Sequence, residues 1–370
     1  MKKPNSQITR ILPAWYRQHR RPLPWRDHPD PYGIWISEIM LQQTQVDTVI
    51  PYYLRFLERF PTVAALAASP LEDVLKAWEN LGYYARARHL HRAANVICER
   101  FQGRIPDTME AISTLPGIGP YTAGAILSMA FGKPVPAVDG NVRRVLSRLF
   151  AIDAPIDQPG TQKALQPLAV SLIPEKSPGD FNQALMDLGA TICTPKTPVC
   201  TACPLGGLCR ARQAGLQDRL PASTRKPSPP HKRVAAAVIR NRRGEVLIVQ
   251  RPAQGLLASL WKFPGNVIRK GEPLTDGLMR TIHEELGLRI QVGEEIASIK
   301  HAYTHFRMTL TVFRCSRRSG RPHALTCQDW RWASPDDLDQ LAFSKADRAV
   351  IAVMLHYRSD GPVMTLPSTA

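Results

Sequence analysis

Across residues 8–214 apolar positions recur at helical spacing with hardly any alternating stretch. Proline and glycine punctuate the pattern at Pro51, Pro61, Pro106, Pro116 to Pro120 and Pro159-Gly160. This predicts an all-α first unit. Residues 221–232 read Pro-Ala-Ser-Thr-Arg-Lys-Pro-Ser-Pro-Pro-His-Lys, basic, proline-rich and empty of large apolar side chains, as a linker would be. Beyond them the chain turns β-rich at 233–240, 245–250 and 308–313, with one return to helical spacing at 275–286, which predicts an α+β second unit. The expected division is a helical domain over 1–216, a linker over 217–232 and an α+β domain over 233–358.

Composition narrows the function. The 370 residues leave room for two cored units, and 44% hydrophobic with 21% charged residues excludes wholesale disorder and fibrous repeats. A net charge of +17 points to a polyanionic partner, with nucleic acid ahead of an anionic membrane surface. Residues 1–220 carry a net +7 and residues 221–370 a net +10, so both halves are expected to meet it. No stretch approaches the ~18 apolar residues of a spanning helix, and the N-terminus lacks the apolar core of a secretory signal. The expectation is a cytoplasmic protein, nucleoid-associated if bacterial, neither secreted nor membrane-bound. Residues 1–26 carry no acidic side chain and read as a solvated basic segment.

Four of the seven cysteines crowd into one stretch, Cys193, Cys200, Cys203 and Cys209, spaced C-x6-C-x2-C-x5-C. Thiolates so placed can close around one centre. Zinc sites more often use two knuckles separated by a longer finger, whereas a [4Fe-4S] cluster takes four thiolates around a compact cube, so the spacing favours iron-sulfur over zinc. Cys98, Cys315 and Cys327 are isolated and read as small buried hydrophobes.

Leu115-Pro116-Gly117-Ile118-Gly119 joins two helical patterns, 108–113 and 121–131. Gly117 and Gly119 bracket one apolar residue in a tight turn, and the free N–H groups opening the next helix can hold a phosphate. An ordinary corner between helices would read the same way. Asp139, in Val138-Asp139-Gly140-Asn141-Val142-Arg143-Arg144, precedes a further helical pattern and is by itself simplest as an N-cap. Residues 35–46 are helical in pattern, with Ile36, Ile39, Met40 and Val46 on one stripe. Gln43 falls on that stripe too, while Glu38, Gln42 and Gln45 lie towards the other side. A lone glutamate on a helix is ordinarily solvated.

Together the cysteine spacing, the hairpin and Asp139 resemble the helix-hairpin-helix, endonuclease III superfamily of DNA glycosylases. Residues 35–46, with Pro24-Trp25-Arg26 and the stretches 81–88 and 181–189, more closely resemble its MutY-type adenine DNA glycosylases, over essentially all of 8–215. The resemblance implies a monofunctional glycosylase of base excision repair, acting as a monomer on double-stranded DNA. It would hydrolyse the N-glycosidic bond of adenine mispaired with 8-oxoguanine or guanine and leave an abasic site. It implies one structural [4Fe-4S] cluster on Cys193, Cys200, Cys203 and Cys209, with Arg210 and Arg212 on a basic loop facing DNA. Glu38 would protonate adenine and then help activate water, and Asp139 would stabilise the sugar cation. Gly117 and Gly119 would grip the strand, with Asn141 in the DNA-binding set. Trp25, Arg26, Tyr121 and Gln183 would line the adenine pocket, and Gln43 and Tyr83 would fill or wedge the stack near the opposite base. The chemistry agrees, because protonation makes a purine a better leaving group and a fixed carboxylate stabilises the positive charge left on the sugar. Bifunctional members carry a lysine nucleophile at the position of Tyr121, and a phenol cannot form their Schiff base. Arg86, Arg88 and Arg92 favour a DNA-facing surface around Tyr83, whereas Tyr84 is divided between that surface and the core.

In the second half, 261–265 and 280–288 resemble a Nudix box with two departures. Six residues rather than five separate Gly265 from Glu272, and Thr281 stands where the first helix glutamate belongs. A broken carboxylate row argues against magnesium-dependent diphosphate hydrolysis, so no magnesium is expected in catalysis. Glu284 and Glu285 then read as the solvated face of a helix packed through Ile282 and Leu286. In the resembling family such a degenerate domain recognises 8-oxoguanine through an aromatic-hydroxyl-His loop, a place taken here by Tyr303-Thr304-His305. The competing readings are a glycosylase for damaged pyrimidines, a non-catalytic cluster-bearing DNA sensor, and a Nudix hydrolase with a helical appendage.

Overall fold

The computed structural model describes residues 4–27, 30–224, 228–356 and 364–366. Arg225, Lys226 and Pro227 of the expected linker lie outside the described residues, as do residues 1–3 of the basic N-terminal segment and 357–358 of the expected second domain. The chain divides into two compact units, Met1–Ala68 with His89–Lys226, and Ser69–Arg88 with Pro227–Ala370.

The first unit is helical. It contains α1 (Pro4–His19), α2 (Pro24–Asp27), α3 (Pro31–Leu41), α4 (Val46–Arg59) and α5 (Val63–Ala68). After α6 (Leu71–Ala77), which belongs to the second unit, α7 (Ala85–Phe101) returns the chain to the first. Then come α8 (Met109–Ile112), α9 (Pro120–Phe131), α10 (Gly140–Phe150), α11 (Pro159–Leu172), α12 (Pro178–Thr191) and α13 (Arg210–Gln213). Proline opens α3, α9, α11 and α12, where its missing N–H costs nothing. One core joins Leu12 of α1, Leu146 of α10, Leu165 of α11 and Phe181 of α12.

Helix α3 departs from the expected stripe. Every residue from Tyr32 to Met40 is buried, Ser37 and Glu38 included, and the helix stops at Leu41. A helix enclosed on all sides has no solvent face for its polar residues to mark. Gln42 ends it in a non-helical conformation and Gln43 takes a left-handed φ of 57°, so Gln43 is exposed on a turn before α4 and not on an apolar helix face.

The second unit carries two sheets. β1 (His231–Ile239), β5 (Arg307–Ser319), β4 (Arg289–Ala302) and β7 (Met364–Leu366) form the first in the order β1-β5-β4-β7, with β1 parallel to β5 and β4 antiparallel to it. β3 (Trp261–Lys262), β2 (Val246–Gln250) and β6 (Asp329–Ala333) form the second, antiparallel throughout. Alternation along β1 supplies two cores. Ala235, Ala237 and Ile239 pack with Leu278, Ile282 and Leu286 of α14 (Leu274–Leu286), while Ala236 and Val238 pack with Val350 and Met354 of α16 (Lys345–His356). A short α15 (Pro335–Gln340) precedes α16. Among the described residues no helix is long and apolar enough to cross a membrane.

Candidate active site

The enclosure of α3 gives Glu38 its chemistry. The side chain is 4% exposed, and its Oε2 accepts a hydrogen bond from the Tyr121 hydroxyl at 2.5 Å. Burial pushes the carboxyl up to about 7, the Tyr121 bond opposes that rise, and the charge of Asp139 adds to it against that of Arg26. At neutral pH Glu38 is therefore divided between acid and carboxylate, as a group that first donates and then accepts a proton must be. The Tyr121 phenol is itself pushed well above its ordinary value by desolvation and by the neighbouring carboxylates.

Asp139 is the N-cap of α10. Its Oδ1 accepts from the Val142 N–H at 2.6 Å and its Oδ2 from Asn141 Nδ2 at 3.1 Å. Asn141 in turn accepts from Arg144 at 2.7 Å, which also donates to the carbonyls of Gly189 and Cys193. Burial raises the Asp139 carboxyl, against these hydrogen bonds and the charges of Arg144 and Arg143, which favour the anion. The capping reading and the chemical one thus describe one geometry.

Of the residues expected to line the base pocket, Trp25 is buried edge-on to Tyr53 at 5.4 Å, and Gln183 is half-buried on α12. Arg26 is held by both oxygens of Asp187, at 2.8 and 3.0 Å, and its Nε is buried without a hydrogen-bond partner among the described residues. Asp187 also binds Arg21 at 2.6 Å and is 1% exposed. The sequence reading gave Asp187 no part. An acid beside the buried Ala184 and Leu188 is the signal that marks it. At the hairpin, Gly117 has a φ of 79°, and a Cβ there would lie 2.7 Å from that of His89. Gly119 caps α9 with open space where a Cβ would stand.

The four clustered cysteines line one cavity of about 30 Å³. Arg148, a fully buried residue absent from the sequence reading, clamps their loop by donating to Cys193 Sγ at 3.3 Å and to the carbonyls of Thr194, Pro195 and Leu220. Burial raises the Cys203 thiol to about 11 and raises Cys209 as well. Among the described residues no three His, Cys, Asp or Glu side chains are placed to share a single metal ion.

In the second unit, Tyr83 is 41% exposed with a left-handed φ of 48°, and its hydroxyl lies 2.7 Å from Thr304 Oγ1. Thr304 and His305 are exposed, and Tyr303 is half-buried against His301 and Phe306. The neighbouring arginines correct an expectation. Arg86 is buried over the Trp78 and Tyr83 rings and donates to the Leu81 and Gly82 carbonyls, while Arg88 donates to the Ala258 carbonyl. Both brace the backbone and neither forms an open basic face; of the three, Arg92 is exposed. Tyr84 is core, its hydroxyl bonded to the Phe343 carbonyl.

Residues 36–169 match the HhH-GPD superfamily of base excision DNA repair proteins, and residues 235–353 match the NUDIX domain. The adenine DNA glycosylase of Rattus norvegicus is 35% identical, over 95% of this chain and 79% of its own length. The chain belongs to the adenine DNA glycosylase family. The Homo sapiens adenine DNA glycosylase is 36% identical over 92% of this chain and 73% of its own. Among solved structures, a thermostable thymine-DNA glycosylase is similar with a TM-score of 0.53 and 33% identity, over 57% of this chain and 97% of that one. The protein is thus a DNA-binding base excision repair enzyme, a helix-hairpin-helix adenine glycosylase followed by a Nudix-like α+β region.

In the glycosylase's Nudix-like unit every carboxylate of the degenerate box is occupied by a cation. Glu285 is buried, not solvated as expected, and pairs with the buried Lys262 at 2.7 Å while accepting the Gly265 N–H. Lys262 also donates to the Gly265 carbonyl. Glu272 and Glu284 both pair with Arg280, and Thr281 is buried with its hydroxyl on the Leu278 carbonyl. Ile282 and Leu286 face the core as the pattern required.

Proposed function

We propose that the enzyme is a monofunctional glycosylase for adenine mispaired with 8-oxoguanine or guanine, with Glu38 as general acid and Asp139 as the stabilising carboxylate. The observation that carries this reading is the buried Glu38 carboxyl on the Tyr121 hydroxyl, raised to about 7 by its enclosure. Protonated Glu38 gives its proton to a ring nitrogen of adenine as the N-glycosidic bond breaks, so the base leaves neutral. Asp139, kept towards the anion by Val142, Asn141 and Arg144, faces the positive charge that develops on the sugar. The Glu38 carboxylate then accepts a proton from the attacking water, which leaves an abasic site. Tyr121 offers no amine, so strand scission through a Schiff base is absent.

The remaining assignments follow the same reading. Trp25, Arg26 and Gln183 line the base pocket, with Asp187 fixing the Arg26 guanidinium. Gly117 and Gly119 admit the phosphate backbone to the start of α9, and Gln43, on its exposed turn, fills the stack. Thr304 and His305, with Tyr83 bonded to Thr304, contact the 8-oxoguanine. Cys193, Cys200, Cys203 and Cys209 hold one [4Fe-4S] cluster: four thiolates so spaced along one stretch and lining one cavity suit a compact cube better than the two separated knuckles of a zinc site. When bound, the cluster supplies loop structure and no step of the hydrolysis. Apart from Ser69–Arg88, which belong to the second unit, the domains divide across a linker at 217–232, and the enzyme works as a monomer in the cytoplasm, needing no magnesium.

The decisive assay uses a labelled duplex with adenine opposite 8-oxoguanine, wild type beside Glu38→Gln, each reaction split between direct loading and hot alkali. Breaks that appear only after alkali and vanish in Glu38→Gln are expected. Breaks without alkali refute monofunctional action, and an intact strand with fully loaded wild type refutes the substrate.

A further inference from the structure

A wide cleft of the second unit takes no part in the chemistry above. It measures about 1970 Å³, beyond the ~300–1,000 Å³ of small-molecule pockets, which points to an extended occupant. Its lining holds five arginines and two glutamates. Both glutamates are engaged, Glu245 by Asn241 Nδ2 at 2.6 Å and Glu294 by Arg314 at 3.0 Å. Arg242, Arg243 and Arg317 are exposed, and among the described residues none has a carboxylate at ion-pair distance.

The turn that carries two of these arginines is built rather than loose. Asn241 Oδ1 accepts the N–H groups of Arg243 at 2.9 Å and Glu245 at 3.1 Å, and Gly244 supplies the left-handed φ of 82° that closes the turn. Arg242 and Arg243 are therefore presented side by side from the β1–β2 turn, with Arg317 contributed by the far end of β5. This place is separate from the surfaces already described. The Thr304 loop joins one end of β4 and β5, whereas Arg317 pairs with Ile290 at the other. No residue of α14, Glu284 and Glu285 included, lines the cleft.

We propose that this cleft grips the phosphate backbone of DNA as a second, sequence-independent contact of the Nudix-like unit. Guanidinium groups spread over two chain segments suit a row of phosphates better than one small anion, and phosphate is the ligand arginine binds bidentately. DNA is already the partner of this enzyme, and the unneutralised charge of the cleft is complementary to it. An acidic protein segment is the alternative that the test excludes.

The test measures affinity of the full-length protein for a long undamaged duplex as a function of salt. Removing one arginine–phosphate ion pair lowers the slope of log affinity against log salt by about 0.9. Replacing Arg242, Arg243 and Arg317 together by alanine is expected to lower that slope by between about 2 and 3, and the matching lysine triple variant to retain it. Both variants should melt with the wild type, since all three side chains are exposed. An alanine triple variant that melts normally and keeps the wild-type slope and affinity overturns the proposal and leaves the cleft to a different partner.

Discussion

Two sets of glutamates in this protein have opposite fates. In the first unit Glu38 is buried beside a phenol and a second carboxylate, and no ion pair holds it among the described residues. In the second, Glu272, Glu284 and Glu285 are each bound to an arginine or lysine, and Arg280 draws Glu272 down to about 2. One environment holds a proton near neutral pH and the other fixes the anion. A carboxylate row could have served either for proton transfer or for metal binding. Each carboxylate of the Nudix-like row is held in an ion pair, whereas among the described residues none engages Glu38, which leaves that group available for chemistry.

The contrast is sharpest in turnover. Glu38→Gln should lower single-turnover adenine release by about 10²–10⁴-fold, the usual contribution of a general acid, while Glu284→Gln leaves the rate unchanged. Stability should run the other way. Glu285→Ala leaves Lys262 buried and unpaired, and a loss of about 3–5 kcal/mol in denaturant unfolding is expected. Glu38→Gln should instead stabilise the fold. A carboxyl whose folded value is raised from 4.5 to about 7 contributes its full stability below 4.5 and loses it as pH rises towards 7. The variant, which carries no such charge, should gain about 3 kcal/mol over wild type at about pH 8 and nothing at about pH 4. If Glu38→Gln destabilises at high pH, the carboxylate is better compensated than its surroundings indicate.

The pH profile of release tests the same group without mutation. Because the protonated form is the acid, the rate should fall about tenfold per unit above about 7. A profile flat from pH 6 to 9 would remove Glu38 as the proton donor. The smallest effect belongs to the half-exposed Glu284, whose pairs with Arg280 and Arg269 are open to water. Glu284→Gln should shift stability by no more than about 0.5 kcal/mol.

Much of this architecture was legible in the residues. The helical spacing gave α9, α10 and α14, the β-rich runs gave β1 and β2, and Thr281 marked the broken metal row. The long β4 went unread, as did the two-residue β3, because bulged or very short strands leave little alternation to detect. Arg86 and Arg88 read as a DNA face because sequence reports charge without direction, and folding turned both onto backbone carbonyls.

By itself the sequence determined the helical and α+β halves, the cysteine spacing and the motifs that carry the family resemblance, since all of these are local in the chain. Tertiary structure decided what no local pattern holds. Glu38 and Tyr121, 83 residues apart, meet at one hydrogen bond, Asp187 reaches back to Arg26, and Lys262 closes on Glu285. A carboxylate's proton affinity depends on the solvent and charges around it, and those are fixed only when distant segments pack together.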